Sequence, residues 1–204
     1  MRLAHICRRT TCLLLFIVVP LVATSCSSGT GSSDIVVATG SVTCSNVTGS
    51  VSFSPPLTMS GGSAEHITIA LTTNGCTTSG SNIPTLAKGS VATTISMATN
   101  ACSSLLSPQP VTVTETWIPA TIHQSVVSYS GYKIGLSPSG GGGFTLPNSG
   151  GTAKVVGSFA GSDHGSGSTA ALYSTESATE LLTACGSDAG LASLPVTSGS
   201  VTLK

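Results

Sequence analysis

Arginine disappears from the 204-residue chain after Arg9, and charge of either sign is scarce, with charged residues at 7% and aromatics at 4%. Beyond Arg9 the only basic residues are Lys88, Lys133, Lys154 and Lys204, set against seven carboxylates. That argues against nucleic-acid binding, because phosphate contact depends on clustered Lys and Arg. It also removes the best residue for bidentate capture of phosphate or carboxylate ligands. No apolar run reaches the about 20 residues that a membrane-spanning helix needs. The longest, Cys12–Ala23, is shorter and is interrupted by Pro20. There is no C-x-x-C pair of the kind that holds zinc, and no G-x-S-x-G nucleophile elbow. Scarce charge does not mean disorder, which requires low hydrophobicity together with high net charge. The abundant Ser, Thr, Gly and Val describe instead a β protein with a neutral, hydroxylated surface.

What is present begins with an export signal. A basic head (Arg2, Arg8, Arg9) precedes the apolar run, and Ala23-Thr24-Ser25 offers a small-x-small cleavage site. Arg8-Arg9 is followed by Thr11 and Cys12 where a twin-arginine signal has apolar residues, so the general export route is expected. Met1–Ser25 is therefore read as a signal peptide. Ala23-Thr-Ser-Cys26 also resembles a bacterial lipobox, with Ala23 in the place of the usual Leu. Cysteine parity favours that reading. Of seven cysteines, Cys7 and Cys12 leave with the signal, and lipidating Cys26 leaves an even set: Cys44, Cys76, Cys102 and Cys185. Cys26–Ser33 is then a lipidated residue and a flexible Ser/Gly linker spanning roughly 15 Å. Plain secretion, with Cys26 as the first mature residue, is the alternative.

Asp34–Lys204 has the size of one domain, able to bury roughly 70% of its unfolded surface. Its strands read from period-two alternation: Gly40–Phe53, with a slip of parity near Ser45-Asn46 that implies a bulge or turn, and then Ser54-Pro55-Pro56 as a stop. His66–Thr73 follows, with Asn74-Gly75 as a turn signal. Ser90–Ala98, Val111–Trp117, Ser125–Leu136, Gly143–Leu146, Thr152–Ala160, Ser168–Tyr173 and Gly199–Leu203 complete the set. Gly140–Gly143 reads as a mobile loop, and Leu191–Leu194 as irregular. In Thr175–Cys185 the apolar residues Ala178, Leu181, Leu182 and Cys185 fall at i, i+3, i+4, i+7, one helical face, with Ser177-x-x-Glu180 as a capping box and Gly186 as a stop. The expected fold is all-β: a disulfide-stapled β-sandwich or open barrel of about 8–10 short strands with one short helix near the C-terminus.

Four cysteines allow three pairings. Cys44–Cys76 with Cys102–Cys185 is favoured, the first joining early strands and the second pinning the helix end. Exported cysteines usually oxidise, so disulfides are expected ahead of zinc.

Candidate chemistry is sparse. Asp163-His164 lies in a glycine-rich loop with Ser162 and Ser166, but neighbours on a strand point apart, so adjacency does not make a triad. Glu65-His66 begins a strand, and His123 follows Trp117-Ile118-Pro119. The spacing of the three histidines demands no metal, and no cofactor is implied. Glu115 shares a face with Val111, Val113 and Trp117, where a carboxylate is costly unless paired, with Lys133 or Lys154 the candidate partners. Trp117, Tyr129, Tyr132 and Tyr173 are expected as packing anchors before sugar platforms. Asn46-Val-Thr48 matches a glycosylation acceptor, meaningful only in a host with that machinery.

Three phrases carry a resemblance: Gly40–Leu57, Gly143-Phe-Thr-Leu-Pro147 with Gly157-Ser-Phe-Ala-Gly161, and Glu180-Leu-Leu-Thr-Ala-Cys-Gly186. Together they resemble a group of uncharacterised exported proteins and lipoproteins of actinobacteria. The resemblance implies an extracytoplasmic, disulfide-stapled β domain and carries over no catalytic residue. The sequence thus supports a non-enzymatic reading: a lipid-anchored cell-envelope domain with a binding or surface-structural role and an envelope or extracellular partner. Two alternatives stand beside it. One is a hydrolase of envelope polymers using His164 or His123 with a carboxylate. The other is a carrier of an apolar ligand, which an enclosed apolar pocket would favour.

Overall fold

β-branched residues alternating with small polar ones suit a pleated sheet that is apolar on one face only. In the computed structural model they form ten strands: β1 (Thr39–Leu57), β2 (Glu65–Ser81), β3 (Lys88–Met97), β4 (Gln109–Ile118), β5 (Ser125–Leu136), β6 (Gly141–Leu146), β7 (Lys154–Gly157), β8 (Thr169–Ser177), β9 (Leu191–Val196) and β10 (Ser198–Leu203). Among the described residues one helix, α1 (Ala178–Gly186), and a 3-10 turn at Cys102–Leu106 accompany the strands. The structure describes residues 35–83, 88–106, 109–136, 141–146, 153–160 and 168–204. The signal segment, Cys26, the linker and the Asp163-His164 loop lie outside them.

All the strands belong to one antiparallel sheet, in the order β10-β8-β6-β5-β4-β3-β2-β1-β9, with β7 paired to β5. The sheet is strongly rolled, so that β10 also pairs back onto β1 from Val42 to Cys44. It remains an open sheet, because β3 and β4 keep register only over Lys88–Val91 against Glu115–Ile118. Beyond Val91 the backbone ladder stops, and Thr93 Oγ1 bridges the two strands by donating to Thr112 O (3.0 Å). Inside the roll sit Val47, Val51, Ile67, Leu71, Val111 and Val127. Outside, hydroxyls face water and pair across strands, as in Thr43 Oγ1···Thr202 Oγ1 (3.1 Å) and Thr112 Oγ1···Ser128 Oγ (2.9 Å).

Several local expectations need correction. The parity slip near Ser45-Asn46 is neither turn nor bulge, because β1 runs unbroken and keeps one register with β2 from Thr39 to Ser54. Both strands change face together at Ser45 and Gly75, and Asn74-Gly75 lies inside β2, with Gly75 at φ 60°. Glycine reaches that left-handed conformation without steric cost, so the strand twists there instead of turning back. Pro55 and Pro56 fall within β1, not after it. They end pairing only: the β2 ladder stops at Ser54↔His66, and the β9 ladder jumps from Ser52 to Leu57. Gly141–Gly143 are strand residues of β6, and Leu191–Val196 is the strand β9. β1 and β2, at 19 and 17 residues, are long strands.

The disulfides join Cys44 to Cys76 and Cys102 to Cys185. Cys44 and Cys76 are directly opposed across β1 and β2. The second bridge ties the 3-10 turn to the end of α1, whose start carries both arms of a capping box between Ser177 and Glu180. Leu181 and Cys185 turn the helix's apolar face toward the sheet. Among the described residues no helix is long and apolar enough to cross a membrane.

Candidate functional site

One end of the roll is sealed by aromatic packing. Trp117 is wholly buried and meets the edge of Phe159 with ring centroids 5.2 Å apart at 75°. Its Nε1 donates to Ser125 Oγ (2.9 Å), which in turn donates to the carbonyl of Ser158. Phe159 holds φ at 63°, unfavourable for a bulky residue, and full burial of its ring offsets that cost. The segment leading into β1 closes over this layer. Ala38 N donates to Ser158 Oγ (3.2 Å), and Phe159 N donates to Ala38 O (2.8 Å).

Above the aromatic layer the interior is not filled. An apolar cavity of about 60 Å³ runs among the inward residues of β1, β2, β3, β4, β5, β8 and β10. Leu71, Val91, Val111, Leu172 and Val201 are typical of its walls. Ile69, Ile95 and Val113 line it and are only half-buried. They mark the side on which it meets solvent, where the β3–β4 backbone ladder has ended. A single water needs about 10–15 Å³, so the space has room for a few waters.

Among the described residues that line it, three are polar in any part: Thr73, Glu115 and Tyr129. Each comes from a strand whose alternation points it inward with apolar neighbours. Glu115 is 1% exposed, and Thr73 Oγ1 donates to its Oε1 (2.7 Å). Burial pushes the carboxyl up to about 7, and the Thr73 hydroxyl opposes the shift only in part. Tyr129 is raised above the usual phenol range by burial and, secondarily, by the nearby Glu115 charge. Gly89 makes the arrangement fit. A Cβ there would stand 2.7 Å from Thr73 Oγ1, 2.8 Å from Glu115 Oε1 and 3.0 Å from the Trp117 ring.

The other candidates do not converge. Glu65 points inward and is fully buried, accepting from Ser54 N (2.7 Å), and its Oε2 has no partner. Burial raises its carboxyl above the usual range, against the Ser54 hydrogen bond and the His66 charge. His66, next in sequence, faces out and pairs with Ser96 Oγ through Nδ1 (3.2 Å). His123 is exposed on the far side of the aromatic layer, in a shallow depression with Ile122 and Val156. Asp163, His164 and their serines lie outside the described residues, as does Cys26. Among the described residues no group of three His, Cys, Asp or Glu is placed to hold a metal. Lys154, one of the two lysines considered for Glu115, is exposed, the side chain of Lys133 lies outside those described, and among the described residues Thr73 donates to Glu115. Tyr173 is half-buried on β8.

Sequence reasoning singled out Glu115 and missed Thr73. The signal was there: Thr73 shares parity with Ile67, Ile69 and Leu71, a hydroxyl on an otherwise apolar face. No family model, no curated protein and no solved structure matches the chain.

Proposed function

We propose that this protein is an exported, lipid-anchored envelope protein that carries a slender apolar ligand inside its rolled sheet. The cavity is the observation behind this reading. A purely structural domain has every reason to fill its interior, since unfilled apolar space forfeits dispersion contacts. Binding sites for small molecules are concave and mainly apolar, with a few placed polar groups; this interior shares that lining, at a volume of about 60 Å³ that takes only a small apolar group or the end of a chain. A volume of about 60 Å³ suits a short alkyl segment better than fused rings. The hydrolase reading lacks support among the described residues, where no histidine from one strand meets a carboxylate from another. Two disulfides are compatible with an extracytoplasmic location, and the resemblance to actinobacterial exported proteins implies the same.

The test is displacement of a fluorescent alkyl probe from the purified protein by chains of graded length. Val113→Trp, at the half-buried lip of the cavity, is expected to weaken probe binding by at least about tenfold, equivalent to roughly 1.4 kcal/mol. Its thermal unfolding should stay close to that of the parent. Failure of the parent protein to bind any chain, or equal binding by Val113→Trp, would remove the carrier reading.

The anchor has its own check. Cells fed a labelled fatty acid should incorporate it into this protein, and Cys26→Ser should lose the label and appear in the soluble fraction. A labelled Cys26→Ser protein would place the anchor elsewhere, and an unlabelled parent would leave secretion without an anchor.

A further inference from the structure

We infer that the end of the roll where the chain enters β1 is a membrane-docking face, laid against a phospholipid surface that carries anionic headgroups; this deepens the lipid-anchored reading and rests on it. Of the seven exposed large apolar side chains among the described residues, five gather there: Ile35, Val36, Val37, Ile118 and Val156. Ile35 and Val156 line one shallow depression with Ala120 and Val126. Val36 is fixed beside it, its N donating to Thr121 O (2.9 Å) and its O accepting from His123 N (3.0 Å). Val37 borders Gly157, which the depression also touches. Ile118 lies two residues beyond Thr116 on the outer face of β4, and Thr116 borders the depression too. Apolar side chains gathered in this way at a surface mark a place that something covers.

Two observations identify the cover. The first is the tether. Eight residues, Ser27–Asp34, separate Cys26 from Ile35. A linker of that length and composition spans roughly 15–18 Å on average and about 30 Å at full stretch. A lipid on Cys26 therefore keeps this end of the domain close to the bilayer, at high effective concentration. The second is charge. Lys88 stands directly opposite Ile118 across β3 and β4, so the two side chains share a face. Lys154 shares the outer face of β7 with Val156, and both lysines are exposed. The surface carboxylates of the described residues, Glu176, Glu180 and Asp188, lie instead in and beside α1. That is the other end of β1, where Met59 N donates to Cys185 O (3.0 Å). Asp34, next to Ile35 in the chain, brings one negative charge. The apolar side chains therefore lead the contact, and the lysines add a preference for anionic headgroups.

The experiment sediments the Cys26→Ser protein, which has no site for the lipid, with vesicles of phosphatidylcholine alone or mixed with phosphatidylglycerol. The expected result is binding to both, several-fold tighter where phosphatidylglycerol is present. Ile35→Ser combined with Val156→Ser should weaken binding to either vesicle by at least about tenfold. Its thermal unfolding should match the parent's, because both side chains are 54% exposed. Lys88→Gln combined with Lys154→Gln should abolish the preference for the anionic vesicles and keep binding to the neutral ones. Leu182→Ser, at an exposed apolar position on α1, should change nothing. Binding to neither vesicle, equal affinity for the two, undiminished binding by the Ile35 and Val156 variant, or an equal loss in Leu182→Ser overturns the inference. So does a protein that ignores vesicles and forms a dimer which the Ile35 and Val156 variant breaks, since a second copy then covers the face. The anchor is scored apart, by the fatty-acid label on Cys26 of the parent. A labelled parent whose lipid-free form ignores vesicles keeps its anchor and overturns the docking face. An unlabelled parent whose Cys26→Ser form binds them supports the docking face and removes the anchor.

Discussion

Replacing Trp117 by alanine is expected to cost about 3–5 kcal/mol of folding stability, the range for deleting a large aromatic from a packed interior. Three separate losses add up there. The indole is 1% exposed and supplies most of the layer that closes the roll. Its edge contact with Phe159, at 5.2 Å, goes with it, and such pairs contribute about 0.5–1.5 kcal/mol beyond area. Phe159 then keeps its unfavourable φ of 63° without the packing that offset it. Trp117→Phe separates the terms, because it retains a ring while removing the Nε1 hydrogen bond to Ser125 and part of the indole's volume. That variant should lose about 1–2 kcal/mol, a hydrogen bond plus a small cavity. Urea unfolding of both variants is the measurement. A loss under 1 kcal/mol for the alanine variant would mean that the aromatic layer does not hold the end of the roll.

The second large effect has the opposite sign and depends on pH. Glu115 has its carboxyl raised from 4.5 to about 7 by burial. The folded chain therefore keeps a proton that the unfolded chain releases near 4.5. Linkage then makes the carboxyl's contribution greatest below pH 4.5, and stability falls as pH rises toward 7. At 1.36 kcal/mol per unit, the total decline is about 3 kcal/mol by pH 8. Glutamine has nearly the same shape, still accepts from Thr73 and cannot ionise. Glu115→Gln should thus be more stable than the parent by up to about 3 kcal/mol at pH 8 and close to it at pH 4.5. Glu65 shifts in the same direction, so a residual slope survives the substitution. Unfolding in urea at the two pH values decides the matter. Parallel behaviour of the two proteins would show that Glu115 is ionised in both states.

Features set by neighbours along the chain were legible, and features set by distant strands were not. The helix is an example of the first kind: its spacing, capping box and stop all lie within one short segment, and α1 forms there. The strands from His66 to Thr73 and from Ser90 to Met97 are likewise encoded in their own alternation. Asn74-Gly75 shows the second kind. Its local preference is for a turn, but Cys44 and the rest of β1 lie opposite and extend the ladder through it. Leu191–Val196 lacks alternation because β1 supplies its order. Glu115 could be recognised as misplaced from one strand alone. The cavity could not, because the same inward apolar residues would fill a flatter sandwich. Only the roll of the sheet decides whether they meet or enclose space.

The shared strand β1 also dictates an order of assembly. Along one edge it is paired from Thr39 to Ser54 by β2, which follows it closely in the chain, so that hairpin can form early and locally. Its other edge is divided between β10 and β9, the last two strands. Contacts this distant in sequence form slowly, since loop closure must precede the gain from pairing. Until those strands are made, one long edge of β1 stands unpaired and adhesive, open to strands of other chains. The interior that holds the proposed ligand exists only after the two ends of the described chain have found each other.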